Sequence, residues 1–392
     1  MKKSVLVVIT ALLLISCTAN NVQPKGDPRS RVISQAERIL DPFLNDGQTL
    51  PSELEDGIPV TWSVAEGHAY IEDGVIHKSE DAAEYEPIVL ISTVDDVKEK
   101  HDDLVLLDPY VAYVITYFGS DEETMRIMYT YDGQYWFKFN NDETIVRATI
   151  GTKRLRDPSL IRKTDGTFWL VATQGYDTDS VYVFDTPDLV TYTNEHLLKV
   201  NRSGYKTEMS GLQAWAPEGF YDRIQNKYIL TFSSVADHGM YYVTTLDMNT
   251  CSYPKRLLDT GFDVIDGTIV KTGLDYTIYL KDERQPMEEY SRLFRGHGDN
   301  WDHFTEFEEH FGNYQSEGPS VMKKLDGDGW YLIYDDYTRK QMQILYTDDI
   351  QHGEFRLIPF WDSMIPAVEP AHGSAMAVTW KELERLMNAY EH

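Results

Sequence analysis

Three acids far apart in the chain occur in nearly the same local setting. The segments are Arg156-Asp157-Pro158-Ser159-Leu160-Ile161, Ile265-Asp266-Gly267-Thr268-Ile269-Val270 and Ser316-Glu317-Gly318-Pro319-Ser320-Val321. Each is a short polar stretch running into an apolar strand-like run. Carboxyl groups gathered from distant sequence suit general acid–base chemistry, in which one ionised group takes a proton while a protonated one gives it. Singly, each acid has a plainer reading, because Asp before Pro ends turns and Asp-Gly or Glu-Gly marks a tight one. Recurrence separates the two readings.

Two further segments share the pattern: Trp215-Ala216-Pro217-Glu218-Gly219-Phe220 and Ala371-His372-Gly373-Ser374-Ala375-Met376. After a turn rich in Asp, Gly or Asn, the first four of the five continue into the aromatic alternating runs TFWLVAT, KYILTF, DYTIYL and GWYLIY. Strand units repeating every roughly fifty to sixty residues predict a propeller of small sheets around an axis. The fold expected is therefore all-β, a five-bladed propeller. First strands of blades line the central channel, so their leading residues, Asp157, Ala216, Asp266, Glu317 and His372, are expected on one face. The second strand returns antiparallel, so its exit loop opens there too, carrying Gln174, Asp237, His238, Lys281 to Arg284 and Asp335 to Tyr337. The fifth unit has only a first strand before the helix-like TWKELERLMNAY. Residues from about Ala112 to Phe139 read as the three strands it lacks, so the ring is predicted to close by joining the two ends of the propeller.

RLRDPSLIRKTDGTFWLVAT, QAWAPEGFYDRIQNKYIL, FDVIDGTIVKTGLDYTIYLKDE, SEGPSVMKKLDGDGWYLIYDDY and AHGSAM together resemble glycoside hydrolase family 43, from about residue 108 onward. These are five-bladed propellers that cleave arabinose-, xylose- and galactose-containing polysaccharides. The resemblance implies Asp157 as general base, Asp266 as the acid that orients its partner and raises its pKa, and Glu317 as general acid. An inverting glycosidase needs base and acid on opposite sides of the sugar, roughly 6.5–9.5 Å apart, and acids from different blades facing one channel can meet that requirement. His372 matches the family's axial histidine, which in several members contacts a metal or water; no cofactor is required, and an axial calcium ion held mainly through water is the ion considered. Trp215 is a sugar platform or a core residue, Glu218 binds sugar hydroxyls or braces a neighbouring blade, and Phe118 is a pocket wall. Asp108-Pro109 reads as an interdomain turn. The charged run Lys281-Asp282-Glu283-Arg284 either contacts substrate or neutralises itself at the rim. The related β-fructosidases usually show Asn-Asp-Pro-Asn and Glu-Cys, which this chain does not. A propeller that only captures glycans is the non-enzymatic alternative.

The N-terminal third differs in texture. Lys2 and Lys3 precede an apolar run from Val5 to Ile15 and then Ser16-Cys17, the layout of a secretory leader. Leu14-Ile15-Ser16-Cys17 resembles a bacterial lipobox, implying lipidation at Cys17 and a lipid-anchored lipoprotein of the bacterial cell envelope. The predicted organisation is a lipoprotein signal peptide over 1–17, a flexible tether over 18–30, a small β-sandwich over 31–107 and the propeller over 108–392. The sandwich resembles reduced bacterial immunoglobulin-like domains through Leu50-Pro51, Val60-Thr61-Trp62 and Asp73-Gly74-Val75. It is expected to act as a spacer or docking unit. The chain of 392 residues carries a formal charge of −28, or −30 without the leader's two lysines. Such a balance argues against nucleic acid as a partner. An oligo- or polysaccharide, with a membrane reached through the anchor, fits better. Tyr (26) and Trp (8) are plentiful, as strands and sugar-stacking surfaces both require.

Overall fold

The computed structural model describes residues 28–202, 209, 211, 213–308 and 310–391. The leader, Cys17 and the first part of the predicted tether lie outside the described residues. From Tyr110 onward, five four-stranded sheets make up the propeller of the described residues. Their inner strands are Arg156–Arg162, Trp215–Asp222, Val264–Thr272, Ser316–Lys323 and Pro370–Thr379. These head blades one to four and the closing blade. Each inner strand packs on the next around the ring, and the last packs on the first. The closing blade takes its inner strand from the C-terminal side, while its other three strands, Tyr110–Gly119, Met125–Thr130 and Trp136–Lys138, come from the start of the propeller. The ring is thus a propeller closed by pairing its two ends, and no blade lacks an inner strand.

Alternation explains why the blades hold. A strand between two sheet faces is buried on both, and Phe168–Thr173 and Met125–Thr130 are buried at every position. Each of the five seams between blades contains its own apolar cluster. Tyr182, Phe168 and Leu170 meet Val114 and Ile127 at the closing seam, while Tyr279 and Leu293 meet Tyr334 and Leu332 between blades three and four. The C-terminal helix Trp380–Tyr390 begins in a capping box, with Thr379 accepting from the Glu382 backbone and Glu382 from the Thr379 backbone. Its Leu383 and Leu386 enter the closing-seam core.

Before the propeller, a helix, Pro28–Ile39, precedes two small sheets. The helix was not anticipated, and its first turn falls where a flexible tether was expected. The sheets share one core built on Leu44, Leu50, Ile76, Leu90 and Leu106, with Trp62 packed at its margin and donating to the Pro51 carbonyl at 2.7 Å. Phe43–Asn45 runs parallel to Val97–Leu107, the one parallel pairing in this unit. Asp108 lies between this unit and the propeller, held by Lys78 at 2.8 Å and Lys381 at 2.9 Å. It is a joint. Lys271 donates to the Leu40 carbonyl at 3.1 Å and to Asp41 at 2.7 Å, fastening the unit under the ring. A cavity of about 1060 Å³ opens there, lined by Asp41, Phe43, Arg162, Phe220, Lys271 and Trp330. It lies at the far ends of the inner strands, away from their leading acids.

Candidate functional site

All five inner strands start with the same irregularity. Register slips between Arg156 and Ser159, Trp215 and Glu218, Ile265 and Thr268, Glu317 and Ser320, and Ala371 and Gly373. These are β-bulges, which kink a strand and re-aim its side chains. The residue after the first of each pair has positive φ in four blades: Asp157 (+46°), Ala216 (+46°), Asp266 (+57°) and Gly318 (+58°). Asp tolerates this region better than most residues, and Gly without cost. A Cβ on Gly318 would also lie 2.6 Å from the His372 ring.

This register corrects one expectation. Glu317 was aligned with Asp157 and Asp266, but the bulge puts Gly318 at that position and Glu317 one residue earlier, level with Arg156, Trp215, Ile265 and Ala371. The acid therefore projects from a different point of its blade than the other two. Two residues past the bulge residues comes a layer of short polar groups, Ser159, Thr268, Ser320 and Ser374, with Glu218 in the same row. Glu218 accepts from the Ser374 hydroxyl at 2.7 Å across the channel. It braces the closing blade from within that layer. Burial pushes its carboxyl above the ordinary range.

Opposite the leading residues, the second strands supply an equivalent row: Thr173, Ser233, Lys281, Asp335 and Phe118. Each reaches across a seam to the bulge of the next blade. The Thr173 hydroxyl accepts from the Ala216 backbone at 2.8 Å, and that of Ser233 from the Asp266 backbone at 2.9 Å. Asp335 faces the His372 backbone N–H. Phe118 is nearly buried beneath the Arg156 guanidinium, 4.8 Å from its ring centre, so it braces the closing seam where an open pocket wall was expected. In this row Lys281 is the exception in chemistry. Its Nζ lies 2.8 Å from Glu317 Oε2 and 2.9 Å from Glu283 Oε2, and its side chain is only 3% exposed. The lysine expected at the rim is a buried counter-charge.

His372 links the acids. Its Nδ1 stands 3.6 Å from Asp157 Oδ1 and 3.7 Å from Asp266 Oδ2, while Asp266 Oδ2 accepts from the Gly318 backbone at 3.1 Å. The three predicted acids and the histidine are thus at one end of one channel. Burial drives Asp266 upward, His372 opposes this, Glu317 reinforces it, and the carboxyl reaches about 7. Asp335 is pushed well above the ordinary range by burial and by Glu317, and its Oδ1 has no hydrogen-bond partner among the described residues. Burial disfavours the charged form of His372, but Asp266 and Asp157 outweigh it and raise its pKa. For Glu317 the direction opposes expectation: burial raises it, yet the Lys281 ammonium outweighs burial and holds the carboxyl below its usual range. In this resting arrangement the proton sits on Asp266 and Asp335 in preference to Glu317.

Around the mouth, Trp215 donates its indole N–H to the Tyr176 carbonyl at 2.7 Å, and the two rings meet edge to face at 6.0 Å. Trp215 is half-buried and Tyr176 exposed, so the pair presents an aromatic ledge beside Arg156, whose guanidinium donates to the Tyr176 hydroxyl at 2.8 Å. Neither Tyr176 nor Arg156 was assigned a role from sequence. At the place of the predicted axial ion, both neighbouring acids already face the His372 Nδ1.

Residues 108–384 match the family described as a probable glycosyl hydrolase domain, related to glycoside hydrolase family 43. The chain belongs to this family. An α-L-arabinofuranosidase of Bifidobacterium longum subsp. longum is 25% identical over 177 residues, spanning 37% of this chain and 16% of that protein's length. Among solved structures, the α-L-arabinanase of Cellvibrio cellulosa complexed with arabinohexaose superposes at a TM-score of 0.48 with 12% identity, covering 63% of this chain and 92% of that one. An exo-1,5-α-L-arabinanase from a bovine ruminal metagenomic library gives 0.47 with 14% identity, covering 64% and 93%.

Proposed function

We propose that this glycosyl hydrolase removes terminal sugars from oligo- or polysaccharides, α-L-arabinofuranose first among them, with inversion at the anomeric carbon. One observation carries the chemistry: a single imidazole nitrogen shared by Asp157 and Asp266, with Glu317 one residue from the backbone N–H that binds Asp266. In this reading Asp157 takes the proton of the attacking water, Glu317 protonates the departing oxygen, and Asp266 with His372 holds both in place. Glu317 must gain its proton on substrate binding. Expelling water strengthens the repulsion between Glu317 and the neighbouring acids, and Asp266 and Asp335 are the adjacent proton-bearing groups. The Trp215–Tyr176 ledge offers an apolar face for a sugar ring. Preference for arabinofuranose rests on the likeness to the bifidobacterial enzyme, and xylose, galactose and galactofuranose are the alternatives to test.

The lipobox reading of Cys17 belongs with this proposal, placing the hydrolase on the bacterial cell envelope with its N-terminal β unit as spacer. An axial calcium ion near His372 would add fixed positive charge without taking part in proton transfer. The decisive experiment follows the anomeric configuration of the first product by NMR during hydrolysis of nitrophenyl α-L-arabinofuranoside, xyloside and galactofuranoside. Release of the inverted sugar from one of them supports the proposal. Initial retention, or no hydrolysis of a broad glycan panel, would overturn it.

A further inference from the structure

On the outer seam between blades three and four, remote from the channel, three side chains converge on one point. His297 lies on the third strand of blade three, Leu293–Asn300, and Glu308 follows the fourth, His303–Phe307. His352 comes from blade four, in the turn after Gln341–Thr347. His297 Nε2 is 2.7 Å and His352 Nδ1 3.4 Å from the same oxygen, Glu308 Oε1, and the imidazole centres stand 4.6 Å apart. The three donor atoms all fall within 4.8 Å of one another. We propose that this cluster binds a zinc-class divalent cation that ties blade three to blade four.

The donor set selects the ion. Two imidazole nitrogens and one carboxylate oxygen suit zinc, cobalt or nickel, whereas calcium and magnesium want a shell of oxygens. Tetrahedral bonds of about 2.0–2.1 Å place neighbouring donors about 3.3 Å apart. The His352–Glu308 separation already has that value, and the His297–Glu308 pair needs to open by only about half an ångström to match it. With three protein donors, the fourth position is left to water.

Outer partners aim the donors. Arg295 grips the other carboxylate oxygen of Glu308, at 2.8 Å through Nε and 2.7 Å through Nη2, leaving Oε1 free to face the imidazoles. The Nδ1 of His297 is 3.5 Å from the buried Thr277 hydroxyl, directing Nε2 outward to the shared point. Arg295 also donates to the Gly353 carbonyl at 3.0 Å, fixing the turn that carries His352. Metal-binding histidines and carboxylates depend on such second partners for orientation. Without a cation, one imidazole N–H would satisfy Oε1, and a second imidazole reaching the same oxygen from another blade would gain little at an exposed site. A shared cation uses all three.

The test is a zinc titration of the metal-stripped full chain by calorimetry near neutral pH, with cobalt absorption as a probe of tetrahedral geometry. His352 is 64% exposed, so His352→Ala leaves the fold intact. The expected result is one zinc equivalent bound at micromolar affinity or tighter, at least tenfold weaker binding in His352→Ala, and loss in Glu308→Gln. Zinc should raise the Tm of the wild type and not that of His352→Ala. Glycosidase activity of both variants stays at the wild-type level, because no group of the channel is altered. Equal affinity in wild type and His352→Ala would overturn the proposal by assigning the bound ion elsewhere, the His372 region included. Absence of zinc binding to the wild type would overturn it as well.

Discussion

The inner strand Arg156–Arg162 carries a buried charge near each end, and the two ends have opposite characters. At the lower end, Arg162 forms a fork with Glu382 of the C-terminal helix, one arm at 3.0 Å, and donates to the Ala377 carbonyl at 2.8 Å. Glu382 also accepts from Tyr85 at 2.6 Å and from the Thr379 backbone at 2.8 Å. Every strong group there has a partner, one positive charge meets one negative charge, and Glu382 is held below the usual carboxylate range despite its burial. At the upper end, Asp157 joins Asp266, Glu317 and Asp335, while the cationic partners are His372, Lys281 and Arg156. Acids are in excess, Asp335 has an oxygen without a partner, and Asp266 reaches about 7. Matched charge gives rigidity, whereas mismatched charge makes protons easy to move.

The contrast is broken most sharply at the upper end by Glu317→Gln. On the proposed assignment, loss of the proton donor lowers kcat/KM by about 10²–10⁴ in the folded enzyme. Full activity in this variant would remove Glu317 from the chemistry. At the lower end, Glu382→Ala strands the Arg162 guanidinium and costs about 3–5 kcal/mol of stability in denaturant unfolding, while kcat of the folded fraction is unchanged. A fall in kcat would mean that the two ends are coupled.

Lys281→Met sharpens the comparison by removing one of the few cations at the upper end. Lys281 holds the Glu317 carboxyl down, so its loss lets that carboxyl keep a proton to higher pH, and the alkaline limb of kcat/KM moves upward. Groups facing Glu317 from every side, Asp266, Asp335, His372 and Arg156, remain in the variant. An unmoved limb would show that Glu317 is not the proton donor. The smallest effect is expected from Asp335→Asn. Asp335 has a raised pKa in the folded state, so its contribution to stability is fully present below the unfolded value and is lost as pH rises toward the folded one. The variant lacks that loss, and its Tm should exceed the wild-type value at neutral pH, with the gap closing toward pH 4.

The propeller was readable because four blades repeat one signature, a polar head, a turn and an aromatic second strand, and the fifth repeats its head. Asp157, Asp266, Glu317 and His372 were readable as a group for the same reason. The displacement of Glu317 was not, because a bulge consumes an extra residue without changing composition. The self-neutralisation of Lys281-Asp282-Glu283-Arg284 was legible, since Lys281 pairs with Glu283 and Arg284 with Asp282, but the burial of Lys281 against Glu317 was not. Glu317 lies on the next blade, and the decisive clue is the equivalence of Lys281 to Thr173, Ser233, Asp335 and Phe118 in the second strands, which only the pairing register reveals. The helix Pro28–Ile39 was missed because its start, Pro28-Arg29-Ser30, has the composition of a linker.

The strand that closes the ring also brings the imidazole placed between Asp157 and Asp266. Without Pro370–Thr379 the three acids lack the group that stands between two of them, and four blades cannot form a sealed circle. Sealing the circle and completing the acid–imidazole cluster are therefore one event, supplied by one strand.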